Sequence, residues 1–476
     1  MRTIFAIVFI CIYSVVISQN ITFTKVFETR KKSVPVAIIN NHETYFHVLR
    51  YNKSAHDLTI ERRKKPNGEI VAFTPLKLDS INAKWFDYEN LDYLIFEDNY
   101  KLYFVFTQEL ITENNTYLKI IDTTGKSEGF FRLATGSTGS DNGVKTRVYQ
   151  TKGNKILVRN TNYQLLNDYE RNVLTLFDPK TKKQIWKKEL PRENAETLGS
   201  FEINDSDDLY YINYRSNMFT PLYICKSEVN SKEVQKYPLS ITNFGSVRSG
   251  VIIAEGNTVL FSGLVTEQKE KRLRYLFYTE KLKNDFSEII YSKTFPLPDT
   301  IRQQLTFYDG TEQKEPEFKF YYKQNIFLNK NKLQFVSQRT SKDNYNELLC
   351  WNTNVQSGNL NNIEVVPRKT FYFASRTRFR NAGEAMSTFK KDSLSIFVSE
   401  HPGNFGMSGK NFNFNKYKKQ NGTIGNLVRY KSGNKSLIYK GRDFDLVPMR
   451  YISENTSDDV FYFVSRKKEK FGLLPD

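Results

Sequence analysis

A short string of aromatic and aliphatic residues returns eight times along the chain: TYFHVL from Thr44, KLYFVF from Lys101, KILVRN from Lys155, DLYYINY from Asp208, TVLFSGL from Thr258, KLQFVSQ from Lys332, SLSIFVS from Ser393 and DVFYFVS from Asp459. Apolar residues at consecutive positions, without alternation, belong to a strand covered on both faces. The copies lie roughly 50 to 75 residues apart, the period of large repeats that bury themselves only by stacking on one another. A chain built this way folds as a series of like sheets.

The clearest unit runs from Asn172 to Pro191. Val173, Leu174, Leu176 and Phe177 form an apolar strand, Asp178-Pro179-Lys180-Thr181 carries turn chemistry, and Gln184 to Leu190 alternates apolar with charged residues. Pro179 presets the turn dihedral and Asp178 can bond the turn backbone, so the stretch is a β-hairpin. Around each doubly covered strand the remaining strands can be placed. A first strand precedes it (Val36–Asn40, Tyr93–Glu97, Thr146–Gln150, Ser200–Asn204, Gly250–Glu255, Phe318–Tyr322, Glu384–Phe389, Val447–Ser453), and two follow, the outermost more polar. After Val460 there is room for only one more strand, while Ile21 to Glu28, ITFTKVFE, reads as a fourth strand with no unit in front of it. Pairing that segment with the last unit closes a ring and removes two exposed sheet edges. The expected fold is all-β: a single β-propeller over residues 19–476 with eight four-stranded blades, seven if two weak units merge.

Val173 to Trp186, with Asp178, Thr181 and Trp186 in register, resembles the repeats of the quinoprotein (PQQ-like) and WD-like β-propellers, and Ile120-Ile121-Asp122-Thr123-Thr124-Gly125-Lys126 is a second, weaker copy. The resemblance implies the fold. It carries no cofactor-contacting residues onto this chain, and no cofactor is expected.

Composition agrees with a large apolar core: 37 Phe and 29 Tyr, with 39% hydrophobic residues overall. Met1 to Ser18 has a charged start at Arg2 and an apolar run from Ile4 to Ile17, the pattern of a secretory signal cleaved between Ser18 and Gln19 and too short to span a bilayer. The mature chain is therefore expected outside the cytoplasm: secreted, periplasmic or at the cell surface. Cys11 leaves with the signal, so Cys225 and Cys350 remain as two free, buried thiols, and no disulfide framework is on offer. The formal charge of +18 is spread along the chain. It favours anionic partners, although dispersed lysine also serves solubility. No specific nucleic-acid signal accompanies it. Seven Asn-x-Ser/Thr sequons, Asn20, Asn52, Asn114 and Asn421 among them, are about what chance gives in so Asn-rich a chain.

Function is expected on the loops. In an up-and-down blade, second-to-third links and blade-to-blade links leave by the same end, and the long ones are Lys77–Asp92, Ala134–Lys145, Asn160–Arg171, Pro298–Glu317, Phe371–Gly383 and His401–Thr423. Long loops on a rigid scaffold are where binding residues concentrate. Two are basic and aromatic: Arg376, Arg378, Phe379 and Arg380 in one, Phe405, Phe412, Phe414, Lys416, Tyr417, Lys418 and Lys419 in the other. Arg pairs with carboxylate, sulfate or phosphate, and aromatic faces stack on sugars, so Arg376, Arg378, Arg380, His401, Phe405, Phe412 and Tyr417 are the candidate ligand-binding residues. Against this stands a plain packing role for the loop aromatics. Ala134–Gly143, rich in Gly and Ser, reads as a flexible lid or linker.

Of four histidines, His42 sits at a turn away from the long loops, His47 is within a strand and His56 is in a short link. His401, beside Glu400, is the one placed for proton transfer. No metal-ligand spacing or nucleophile pattern emerges. The loop-face acids Asp79, Asp87, Glu89, Asp168, Glu170, Asp299, Asp309 and Glu384 could serve glycoside chemistry only if two converge. The expected role is a non-enzymatic binding or scaffold module for a glycan, peptide or partner protein. The alternative is a polysaccharide lyase or glycoside hydrolase acting on an acidic polymer. When the protein is exported with its own leader, intact-mass measurement should place its N-terminus at Gln19; a mass that retains Met1–Ser18 would contradict the cleavage.

Overall fold

The computed structural model describes residues 21–28, 33–52, 57–76, 93–98, 101–109, 113–122, 126–137, 144–151, 153–164, 169–192, 196–215, 221–269, 272–308, 321–341, 344–366, 370–371, 385–390, 393–400, 426–431, 434–440, 445–447, 450–451, 458–464 and 468–475. Eight antiparallel sheets succeed one another along the chain, each with its strands in the order in which they occur. They are the blades of a β-propeller. The eight recurring strings are the second strands of blades one to eight, from Tyr45–Asn52 in the first to Asp458–Val464 in the last. In blade two, Leu102, Tyr103, Phe104, Val105 and Phe106 are all buried, as double coverage requires.

Blade three shows how local chemistry sets the register. Its strands are Val144–Gln150, Ile156–Gln164, Tyr169–Asp178 and Lys183–Arg192. Asp178 accepts bonds from the Lys180 amide (2.8 Å) and the Thr181 hydroxyl (2.9 Å), which fixes the third-to-fourth turn. Lys182 takes φ 59°, a left-handed conformation that glycine adopts more readily. Trp186 donates its indole N–H to the Asp207 carbonyl (2.9 Å) and packs with Leu209, Tyr211 and Cys225 of blade four, tying neighbouring blades. Cys225 and Cys350 are both free and buried, and burial pushes the Cys350 thiol well above its usual range.

Several expectations need correction. The first strand of blade six runs on past the expected Tyr322 to Asn329, because the hairpin turns at Lys330 and Asn331, while 318–320 lie outside the described residues. In blade eight the first strand is only Asp445–Val447, while Arg450–Tyr451 crosses to pair in parallel with Ala37 and Ile38 of blade one. Two supposedly long links are short. The strands of blade three run on to Gln164 and resume at Tyr169, and the fourth strand of blade two continues to Ser137, so the Gly/Ser-rich lid begins as strand. Polar ladders hold these extensions: Thr161 donates to Asn172 (3.0 Å) and Thr135 to Asn115 (2.8 Å). The link after Pro298 contains the helix Asp299–Tyr308, whose Ile301 and Leu305 are buried with Leu333, Trp351 and Val365 of blade six. The sequon residue Asn114 is 3% exposed, which excludes a glycan there in the folded chain.

The N-terminal segment closes the ring as expected. Thr22 and Phe23 pair with Leu473 and Gly472, and Phe27 and Glu28 pair with Glu469 and Lys468, on the third strand of blade eight. One extra residue lies between the two pairings. There the Thr24 hydroxyl accepts from the Phe471 amide (2.9 Å) while the Thr24 amide donates to the Phe471 carbonyl (2.9 Å). The turn of blade one presses on this bulge: a Cβ at Gly68, φ 73°, would lie 2.7 Å from Thr24 Cβ.

Beneath the seam lies a buried set of charges. Arg50 of blade one grips Glu469 of blade eight with two bonds (2.9 and 2.7 Å). Arg63 bonds Glu61 (3.0 and 2.7 Å) and the Gly68 carbonyl (2.9 Å), and the Tyr462 hydroxyl donates to Glu469 (2.9 Å). The cross pairs Arg50–Glu61 and Arg63–Glu469 stand at 3.6 and 3.7 Å. None of the four charged side chains is more than 2% exposed, so each depends on its opposite. Replacing Glu469 by Gln leaves two buried guanidiniums with one counter-charge and should cost about 3 to 5 kcal/mol by chemical denaturation. Deleting residues 21–28 should lower the melting temperature and expose the last blade to proteolysis; a truncated chain as resistant as the full mature one would contradict the closure.

Candidate functional site

First-to-second and third-to-fourth links share one end of every antiparallel blade, here called the short-turn face. In blade one these links are 42–44 and 65–69. They are tied together by the Lys65 amide, which donates to the Thr44 carbonyl (2.8 Å), while the His42 amide donates to the Tyr45 carbonyl (2.8 Å).

Alternation along the second strand separates two faces. Phe46, Val48 and Arg50 turn towards blade eight, where Phe46 and Val48 pack on Val460, Tyr462 and Phe471. Tyr45 and His47 take the opposite face. Arg62 lies directly across the hairpin from His47. Its guanidinium stacks 3.8 Å above the Tyr45 ring, a cation–π contact. His42 closes the group from the turn, its ring 4.4 Å from Tyr45 and 6.4 Å from His47, with Tyr45 and His47 at 5.2 Å.

The cluster is electrostatically one-sided. Burial lowers the pKa of His47 to about 4, and the nearby charge of Arg62 and the His42 imidazole add to the effect. His42 is lowered as well, by burial first and then by Arg62 and Lys65. Among the described residues, neither His47 Nδ1 nor Arg62 Nε, both buried, has a hydrogen-bond partner. Each such group costs free energy until something meets it. The arrangement offers a guanidinium, two imidazoles able to take up protons and a phenol on one rim. An anion bound there would satisfy the donors and restore the histidines' basicity.

Arg376, Arg378, Arg380, His401, Phe405, Phe412 and Tyr417 lie outside the described residues, so the loop-face site is not brought together by this structure. Asp299 is described, on the first turn of its helix, with its side chain 83% exposed and 3.7 Å from Arg302. The His42 cluster escaped the sequence reading, which treated its two histidines separately. The signal was present: Asn52 pairs with Asp57, and that register sets His47 opposite Arg62. Among the described residues no group of three or more His, Cys, Asp or Glu could hold a metal ion, and no helix is long and apolar enough to cross a membrane.

No protein-family model matches the chain, so the comparison assigns it to neither the quinoprotein nor the WD-like group. No curated protein matches it either. Among solved structures it is similar to the polysaccharide lyase Uly1, at 7% identity over 95% of this chain and 99% of that one, with a TM-score of 0.41. It is also similar to the β-propeller domain of the Trilobed protease from Pyrococcus furiosus, at 12% identity over 86% and 99%, TM-score 0.38. A third is the acylaminoacyl peptidase of Pyrococcus horikoshii, at 11% identity over 94% of this chain and 58% of that one, TM-score 0.37. Similarities this distant carry no information about ligand or reaction.

His47 also makes a stability prediction. Its folded pKa of about 4 lies below the ordinary value of 6.5, so its contribution is complete above pH 6.5 and drains away as pH falls towards 4. The loss amounts to about 3 kcal/mol. Denaturant titrations between pH 7 and 4 should show this slope in the native protein and a flatter one in His47→Gln; equal slopes would rule out a buried neutral His47.

Proposed function

We propose that this protein is a propeller exported from the cytoplasm that binds an anionic ligand, a glycan or an acidic partner, as a non-enzymatic module. The observation that carries the reading is the cluster at blade one: Arg62 over Tyr45, flanked by two histidines, with buried polar atoms left unmet. The Arg62 guanidinium and the two imidazoles converge where one anion would meet all three. The general excess of positive charge adds long-range attraction for such a ligand. The basic loops around Arg376 to Arg380 and Phe405 to Tyr417 are proposed as a second contact surface on the other side of the disc.

Linkage fixes the pH dependence. An anion raises the pKa of His42 and His47, so the complex holds more protons than the free protein and affinity rises as pH falls from 7 towards 5. Calorimetric titration with oligogalacturonate and with a heparin oligosaccharide should show this trend, and Arg62→Ala should weaken binding by about tenfold. Affinity indifferent to both pH and Arg62 would remove the site.

One observation favours a catalytic alternative, a lyase or hydrolase acting on an acidic polymer. The imidazole of His42 and the phenol of Tyr45 lie in ring contact, a proton acceptor beside a donor. Incubation with the polymer separates the readings: new chain ends accumulating with time support the enzyme, and binding without product supports the module.

A further inference from the structure

A second polar site lies on the short-turn face, at blade six, with no chemistry in common with the histidine cluster. The hairpin joining Tyr321–Asn329 to Lys332–Ser341 turns through Lys330 and Asn331, with Lys330 at φ 48°. Behind it the third strand, Asn344–Asn354, ends in Asn352 and Asn354. A register shift between Cys350 and Asn352 then brings Asn361 of the fourth strand opposite Asn352 and sets Asn362 at φ 46°. Bulges of this kind re-aim side chains. Among the described residues, six asparagines and two lysines line a cleft of about 540 Å³ here.

The position of the cleft follows from the pleat. Leu333, Phe335, Leu349 and Trp351 pack towards blade five with Leu260, Leu264 and Phe277. Lys332, Asn352 and Asn354 take the other face, shared with Val336 and Cys350, which pack on Ile396 and Val428 of blade seven. The cleft therefore opens at the mouth of the gap between blades six and seven.

Part of the wall is already engaged: the Asn361 side-chain amide donates to the Asn359 carbonyl (3.5 Å), and Asn329 has a partner of its own. The Asn354 side-chain Oδ1 is committed to its turn, accepting from the backbone amides of Gln356 (2.9 Å) and Ser357 (2.8 Å). Asn352 is only 3% exposed and lines the cleft. Neither Lys330 nor Lys332 forms an ion pair there. An amide at the edge of an open cleft can offer a ligand both a donor and an acceptor.

We infer that this cleft is a subsite for an acidic carbohydrate. Each amide presents a donor and an acceptor side by side, the complement of a vicinal diol in which each hydroxyl gives and takes a bond. The lysines supply mobile point charges suited to a carboxylate or sulfate on the sugar. The volume falls within the roughly 300 to 1,000 Å³ of small-ligand sites. The site is separate from the blade-one cluster, and either can fail without the other.

The test is calorimetric titration of the full mature chain with tetragalacturonate, a heparin tetrasaccharide, cellotetraose and a tetraglutamate peptide. One or both acidic sugars should bind more tightly than cellotetraose and tetraglutamate. Lys332→Ala should weaken that binding by about tenfold, and Asn361→Ala, at an exposed position where folding is not at stake, by a few-fold. Arg62→Ala should leave this part of the binding in place. The inference is overturned if neither acidic sugar binds, if tetraglutamate binds as well as they do, if both cleft variants titrate like the native protein, or if Arg62→Ala alone abolishes all binding.

Discussion

The seam between the first and last blades is the constraint on which the rest depends. A ring of sheets has no cap at either end of its sequence, so the two terminal blades must recognise each other as well as any consecutive pair does. Backbone pairing of Thr22–Phe23 and Phe27–Glu28 with the last strand supplies the edge. The Arg50–Glu469 pair supplies the register, because a two-pronged bond between fully buried partners tolerates almost no sliding. Burial pushes the Glu469 carboxyl up while Arg50 and Arg63 pull it down, so its charge is tenable only in the closed ring. This is a joint that gains geometric definition more than it gains stability.

Closure places the chemistry as well. The two faces of the second strand in blade one are put to different uses: Phe46, Val48 and Arg50 are consumed by the seam, which leaves Tyr45 and His47 to meet Arg62 on the other side. At blade six the same alternation gives Leu333 and Trp351 to one neighbour and Lys332 and Asn352 to the other. Both sites are the rims of inter-blade gaps, where apolar packing gives out near the turns. Their rigidity comes from the hairpins behind them.

Much of the architecture was legible because its signals are local. Consecutive apolar residues mark the doubly covered strands, and Asp178-Pro179 marks its turn without reference to anything distant. The misreadings share a cause. Asn160 and Thr161 read as loop because they are polar, yet they are buried in a strand and bond Thr146 and Asn172 through their side chains, and Thr135, also read as loop, is a strand residue that donates to Asn115. In the same way Arg450–Tyr451 carries no local mark of leaving its own blade for Ala37 and Ile38.

By itself the sequence determined an all-β chain of eight like units whose first segment fits only as the missing strand of the last, since strand period and turn residues act within a few positions of each other. Tertiary structure alone decided that Arg50 meets Glu469 more than four hundred residues away, that His42, Tyr45, His47 and Arg62 share one rim, and that six asparagines surround one cleft. Those outcomes depend on which face of a strand looks at which blade. That choice is fixed only when the ring shuts and each sheet acquires two neighbours.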